Sequence, residues 1–282
     1  MSQDLQVAQA LAQGLALGLP RLDVHMLLLL ALQRNPHDRA WLLAHDQDML
    51  PPEAVSRYNA LLQRRHSGEP LAYLRGTKEF FGLNLQIDAR VLDPRDDTET
   101  LVEWALACLA TLNLPTPRVL DLGTGSGAIA LALRAQYPQA QVWASDASAD
   151  ALAVAQENAQ WLGLPLHTVQ SHWFEALAGQ CFDLLVSNPP YIADNDPHLP
   201  ALRHEPRRAL VSGADGLDDL RILTREAPAH LNAGGWLLLE HGHDQAPAVR
   251  AMLAAAGFQS VQSRCDLAGI ERCSGGLWPG MK

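Results

Sequence analysis

Asn188-Pro189-Pro190-Tyr191 follows an apolar run, Phe182 to Val186, and sets a side-chain amide beside a carbonyl on backbone that two prolines hold rigid. The Asn188 side-chain oxygen and the Pro189 carbonyl are both acceptors, so together they can take both hydrogens of a planar amino or amide nitrogen. The chemistry such a clamp suits is reaction at an NH2 group. Asn and Pro are also ordinary turn formers, so the tetrapeptide alone reads equally well as a turn.

A second signal changes that balance. Val119-Leu120-Asp121-Leu122 is an apolar strand that runs into Gly123-Thr124-Gly125-Ser126-Gly127 and then a helical pattern. Alternate glycines let the backbone approach a ligand closely at a helix N-terminus. With Ala128 the loop also satisfies the G-x-G-x-x-A dinucleotide pattern, so it does not choose its cofactor. Asp146, at the end of the next strand, suits the ribose hydroxyls of either NAD or S-adenosylmethionine. Asn188 to Tyr191 discriminates, because a hydride-transfer site has no use for an amide clamp. In an open parallel sheet, ligands collect beyond the carboxyl ends of the strands, where all three features fall.

The elements that must position these residues alternate in type. Arg118 to Leu122, Gln141 to Ser145, Leu166 to Val169 and Phe182 to Val186 read as strands; Ala128 to Ala135 and Ala149 to Leu162 read as helices between them. Leu217 to Leu231 continues as helix, Gly235 to Glu240 as strand and Ala246 to Ala256 as helix, with Phe258 to Arg264 and Gly269 to Ser274 as closing strands. Upstream, Leu101 to Leu112 predicts a helix capped near Asp97 or Thr98. Partial alternation over 75–92 suggests a hairpin-like connector. From Leu5 to Arg65, helical spacing of Leu11, Leu15, Leu17, Leu22, Met26, Leu29 and Leu30, broken at Pro20, Pro36 and Pro51-Pro52, predicts a small helical bundle. The divisions are therefore 1–74, 75–92 and 93–282.

With 282 residues, 48% hydrophobic and 18% charged, the chain suits two globular domains. A formal charge of -10 argues against a broad phosphate-binding surface and so against nucleic acid as a direct partner. Cys108, Cys181, Cys265 and Cys273 form no C-x-x-C pair and read as reduced core thiols of a cytoplasmic protein. No apolar run approaches the ~20 residues that cross a bilayer. The histidines show no metal-ligand spacing, His241-Gly242-His243 being too weak a pattern, so no metal is expected.

Beyond the two motifs stand Gly68-Glu69-Pro70-Leu71-Ala72-Tyr73-Leu74-Arg75-Gly76, Glu79-Phe80-Phe81-Gly82-Leu83, Val91-Leu92-Asp93-Pro94-Arg95 with Thr98-Glu99, Glu205-Pro206-Arg207-Arg208-Ala209-Leu210, Gly213 to Leu217, and Leu239-Glu240-His241-Gly242. In this combination the chain resembles, over nearly its whole length, the protein-glutamine N5-methyltransferases of peptide-chain release factors (the HemK/PrmC family). The resemblance implies a class I S-adenosylmethionine-dependent methyltransferase: a Rossmann-like, mostly parallel seven-stranded sheet behind an N-terminal helical substrate-recognition domain and a hairpin connector. It implies methylation of the glutamine in the release factor's Gly-Gly-Gln motif, yielding N5-methylglutamine and S-adenosylhomocysteine; nothing in the sequence requires more than a monomer. Ribosomal-protein glutamine methylation and adenine-N6 methylation of nucleic acid are the alternatives, since both use the same clamp.

Gly123, Thr124, Gly125, Ser126 and Gly127 are then expected around the cofactor's methionine part, with Asp146 on the ribose and Asp121 either near the amino group or as a loop-capping carboxylate. Trp173, after the third strand, offers a flat face to adenine or is plain core, and His172 stands where the family usually has Asp. Asp93 and Asp96-Asp97 are further departures. An amide nitrogen is a poor nucleophile because its lone pair is delocalised. Asn188 and the Pro189 carbonyl are expected to orient it and favour its pyramidalisation, with Pro190 stiffening the clamp and Tyr191 packing against the amide. No general base is required, and Glu240-His241 read as strand-end polar structure.

Overall fold

The computed structural model describes residues 5–280, which divide into two compact units at Gly76–Thr77. The first unit holds five helices: α1 (Val7–Ala16), α2 (Arg21–Ala31), α3 (Arg39–Ala44), α4 (Pro52–His66) and α5 (Leu71–Arg75). Pro52 starts α4 at its first turn, where a missing N–H costs nothing. Val7, Ala10, Val24, Leu27, Leu28, Leu42, Tyr58 and Leu62 make the core, and the buried Tyr58 hydroxyl donates to the Ala10 carbonyl at 3.0 Å. Sequence periodicity misjudges part of this core: Leu15 and Leu22 are about half exposed, while α2 buries Val24, Leu27 and Leu28. α2 is apolar over nearly two turns, so spacing alone does not say which side faces inward.

The second unit begins with a hairpin, β1 (Thr77–Phe80) against β2 (Leu83–Gln86), turned by Phe81 and Gly82, both at positive φ. After α6 (Glu99–Thr111) come β3 (Arg118–Leu122), α7 (Ala128–Gln136), β4 (Gln141–Asp146), α8 (Ala149–Leu162), β5 (His167–Gln170) and β6 (Phe182–Ser187). The chain then runs through α9 (Asp218–Glu226), β7 (Leu231–Glu240), α10 (Ala246–Ala255), β8 (Gln259–Cys265) and β9 (Glu271–Leu277). The seven-stranded sheet has the order β5-β4-β3-β6-β7-β9-β8, parallel except at β9. This is the expected mostly parallel α/β class. The chain order reverses direction between β3 and β6, so their carboxyl ends open the crevice where such sheets bind ligands.

Two expectations need correction. β7 starts at Leu231 rather than Gly235, because Phe182 pairs with Leu231 before the ladder shifts register, with the extra residues on β7, and Leu184 pairs with Trp236. α9 ends at Glu226, and Pro228 falls in the short 3-10 turn that follows. Of the cysteines, Cys108 and Cys273 are buried, but Cys181 is half-buried and Cys265 exposed; all four are free thiols.

Candidate active site

The glycine loop is held from below and from both sides. Gly123 and Thr124 donate their backbone N–H groups to the Ser145 carbonyl of β4 at 2.8 and 2.9 Å. Gly125 donates to Asp146 Oδ2 at 2.9 Å, and Asp146 Oδ1 accepts from the Ser148 N–H at 2.8 Å. Asp146 therefore fastens loop and strand end together while still lining the cavity beside them. Gly125 sits at φ +55° with nothing within 4 Å of the position a Cβ would take, so bare backbone faces open space there. Gly127 opens α7 at φ +81°, and a Cβ there would lie 3.2 Å from the Ala155 Cβ of α8. Asn158, fully buried on α8, bonds the Ser126 carbonyl and both backbone groups of Gln86 at 2.7 to 2.9 Å, tying the hairpin to the loop.

Asp121 lies under this loop rather than in the cavity. It is fully buried, its Oδ2 accepts from Thr124 Oγ1 at 2.6 Å and from the Ala130 N–H at 3.2 Å, and Oδ1 has no partner. Burial pushes its carboxyl up to about 7, against the pull of the Thr124 and Ala130 hydrogen bonds. Of the two roles open to Asp121, this geometry is that of the loop-capping carboxylate.

The cavity has a volume of about 220 Å³. Gly123, Gly125, Asp146, Trp173, Asn188 and Pro190 all line it, so the loop, the second strand end, the post-β5 segment and the clamp converge. Trp173 has φ +47°, is buried, and donates Nε1–H to Asp219 Oδ1 at 2.9 Å. It belongs to the core and to the cavity wall at once. His172 also lines the cavity and is exposed. Thr124, Ser126 and Gly127 are buried behind the loop surface, and Pro189 is buried beside Asn188.

A second cavity, about 170 Å³, is lined by Leu92, Arg95, Asn188, Tyr191, Ile192 and Leu210 among others. Asn188, Leu92 and Ala209 belong to both linings, so the clamp amide stands in the wall the two cavities share. The Asn188 side chain donates Nδ2–H to Thr98 Oγ1 at 3.2 Å, which leaves Oδ1 to accept. Thr98 is buried and makes no side-chain cap for α6, contrary to the capping role expected of it. The Tyr191 hydroxyl reaches Glu240 Oε1 at 3.4 Å, and burial raises the phenol's pKa. Glu240 is 2% exposed, and burial pushes its carboxyl up to about 7. His241 is fully buried between the Gly242 carbonyl and Ser274 Oγ, and burial lowers its pKa.

Two model families match the chain: the PrmC N-terminal domain over residues 5–76 and the Methyltransferase small domain over residues 103–214. A release factor glutamine methyltransferase from Xylella fastidiosa strain Temecula1 is 51% identical over 264 residues, covering 92% of this chain and 94% of that protein. One from Bordetella pertussis is 52% identical over 262 residues, covering 92% and 95%. The chain belongs to the release factor glutamine methyltransferase family. A crystal structure of a methyltransferase from Pyrococcus furiosus matches 71% of this chain and 91% of its own, with TM-score 0.53 at 20% identity, and shares the fold.

Within this methyltransferase, several lining residues escape sequence reasoning. Arg90, Ser148, Arg208 and Asp219 border the first cavity. Ser148 carries a legible signal, since it caps α8 by accepting from the Ala151 N–H at 3.2 Å two residues after Asp146. Arg208 reaches Ser148 Oγ across 60 residues of sequence, and no local pattern announces that. Arg95, on the second cavity, donates to the buried Glu205 at 2.6 Å, and Glu205 also accepts from the Asp93 N–H. Glu99 accepts from the Phe81 N–H at 2.9 Å, joining α6 to the hairpin turn.

Proposed function

We propose that this protein transfers a methyl group from S-adenosylmethionine to the side-chain amide nitrogen of the glutamine in the Gly-Gly-Gln motif of peptide-chain release factors. The products are N5-methylglutamine and S-adenosylhomocysteine. The observation that carries this reading is the place of Asn188, in the wall between a glycine-lined cavity and a second, separate one. A transferase must hold donor and acceptor on either side of one point, and an amide acceptor needs an acceptor pair at that point.

The residues fit the cofactor. Bare backbone at Gly123 and Gly125 accepts a close ligand, and Asp146 keeps lone pairs beyond its two backbone bonds for a ribose diol. The Trp173 ring lies on the cavity wall where adenine would stack. Ser126, Thr124 and Gly127 act through loop shape, and Asp121 holds that shape from beneath. When bound, the cofactor supplies an electrophilic methyl sulfonium.

The chain's own groups then act on the acceptor. Asn188 Oδ1 and the Pro189 carbonyl accept the two amide hydrogens, fix the nitrogen's direction and favour its departure from planarity. Pro190 keeps the two acceptors in register, and Tyr191 excludes water beside Leu92 and Ile192 in the second cavity. The alkylated nitrogen loses its proton after transfer, so no dedicated base is needed. The helical unit up to Gly76 serves to recognise the protein substrate, a role supported by its match to the PrmC N-terminal domain. On this reading the protein works in the cytoplasm as a monomer on free release factor, without direct nucleic-acid contact. Incubation with S-adenosylmethionine and either a release factor or a ribosomal protein, followed by peptide mass spectrometry, tests the substrate: methyl on the release factor alone is expected.

A further inference from the structure

We infer, resting on the methyl-transfer reading above, that Arg95 is a specificity-determining residue for the acceptor: it donates to the carbonyl oxygen of the glutamine amide. The clamp offers two acceptors to the NH2 group and nothing to the oxygen in the same plane. A carbonyl carried out of water without a donor weakens binding. A donor is therefore needed on the far side of the second cavity from the clamp.

Three side chains in the wall of that cavity carry N–H or O–H groups, Arg95, Asn188 and Tyr191, and the rest of its lining is apolar. Two of the three are engaged elsewhere. Asn188 Nδ2–H goes to Thr98 Oγ1 at 3.2 Å, and the Tyr191 hydroxyl meets Glu240 Oε1 at 3.4 Å. The backbone N–H groups of Tyr191 and Ile192 both go to the Leu210 carbonyl, at 3.2 and 2.8 Å. Arg95 is left. Its guanidinium has five N–H donors. One goes to Glu205 Oε1 at 2.6 Å, while Asp93 Oδ2 stands at 3.6 Å, too far for a hydrogen bond. The Arg95 side chain is 38% exposed, and none of its nitrogens is buried without a partner, so the remaining donors are accessible to an entering group. Glu205 is buried and also accepts from the Asp93 N–H at 3.2 Å, so it is fixed from two sides and fixes the guanidinium in turn. The charges of Arg95 and Glu205 offset each other, which suits a neutral carbonyl rather than an anion.

The bond acts on binding and not on the chemical step. As the nitrogen lone pair leaves the carbonyl to take the methyl group, the oxygen loses negative charge, so its bond to Arg95 is no stronger in the transition state. The test is a double-mutant cycle across the contact, in the full chain with S-adenosylhomocysteine bound. It pairs wild type and Arg95→Met with unmethylated release factor carrying either Gly-Gly-Gln or Gly-Gly-Ala, and reads affinity by calorimetry. Arg95→Met is expected to weaken binding of the Gln form on the order of 10- to 100-fold and that of the Ala form by less than about 3-fold. In turnover, KM for the release factor rises with the loss of affinity, and kcat changes by less than about 3-fold. If the Met variant does not fold, Arg95→Lys keeps the charge beside Glu205 without the fork, and a selective loss of about 3- to 10-fold for the Gln form is expected. Equal loss on the two release factors, no loss on either, or a fall in kcat with KM unchanged overturns the assignment. Wild-type protein that methylates no release factor sinks the functional reading and the assignment with it; wild-type methylation without a selective loss in the variants sinks the assignment alone.

Discussion

Gly216 offers a measurable link between backbone geometry and the clamp. It sits at φ +74°, and a Cβ there would fall 2.3 Å from the Tyr191 carbonyl oxygen and 3.0 Å from Gln245 Nε2. That same Gln245 nitrogen donates to the Tyr191 carbonyl at 3.0 Å and to the Gly216 carbonyl at 3.3 Å. Gly216→Ala therefore carries two costs: about 1–2 kcal/mol for a left-handed L residue, and about 1–2 kcal/mol for a Gln245 bridge that must break as Tyr191 moves. Gly163→Ala is the control, because Gly163 closes α8 at φ +67° with nothing within 4 Å, so it carries the first cost alone. Urea unfolding followed by tryptophan fluorescence suits both, since only Trp41 of the seven tryptophans lies outside the second unit. The expected losses are about 3 kcal/mol for Gly216→Ala and about 1 kcal/mol for Gly163→Ala. In native conditions, methyl transfer falls in the first variant only. Equal losses in the two, or full turnover in Gly216→Ala, refute the idea that the Gly216 turn holds the clamp.

Three other outcomes follow from the same geometry. Asp146→Ala removes the acceptors of Gly125 and Ser148, so S-adenosylhomocysteine affinity is expected to fall by about 10- to 100-fold in calorimetry, charged hydrogen bonds being worth about 1.5–3 kcal/mol; unchanged affinity excludes it from the cofactor site. Burial pushes the Asp121 carboxyl up to about 7, well above the ordinary carboxylate range. Its stabilising contribution is thus fully present below the unfolded pKa and is lost as pH rises to about 7. Asp121→Asn should therefore flatten the decline of unfolding free energy between pH 4 and pH 8, and an unaltered pH profile contradicts the buried, raised carboxyl. A disulfide exchange reagent should label Cys265 first, because it is exposed, while burial protects Cys273 and lifts the Cys108 thiol to about 11; labelling of Cys108 ahead of Cys265 contradicts this packing.

Local signals made much of the architecture legible. Ser148 and Gly163 bracket α8 with a cap at each end, and its observed span, Ala149–Leu162, is the one the sequence predicts. The glycine loop, Asp146 and Asn188 all close strands of a parallel sheet, so their convergence follows from topology. What the sequence does not reveal is cross-chain pairing. Thr98 looks like a helix cap because Ser, Thr and Asp before an apolar helix usually are, yet its hydroxyl goes to Asn188, 90 residues away. Glu240 looks like strand-end polarity until the Tyr191 hydroxyl is found beside it. Asp121 is ambiguous as a letter and unambiguous once it lies beneath the loop. The N-terminal core is misjudged in α2 for the opposite reason: too many apolar residues leave no polar face to mark the outside.

The central claim is that the clamp at Asn188 directs a methyl group to one glutamine. It is tested most directly by mass spectrometry of purified release factor after incubation with S-adenosylmethionine and either the wild-type protein or Asn188→Ala. One added methyl on the Gly-Gly-Gln glutamine with wild type, reduced by at least about 100-fold in the variant, is the predicted result. Methylation at another residue, or an undiminished yield with Asn188→Ala, contradicts it.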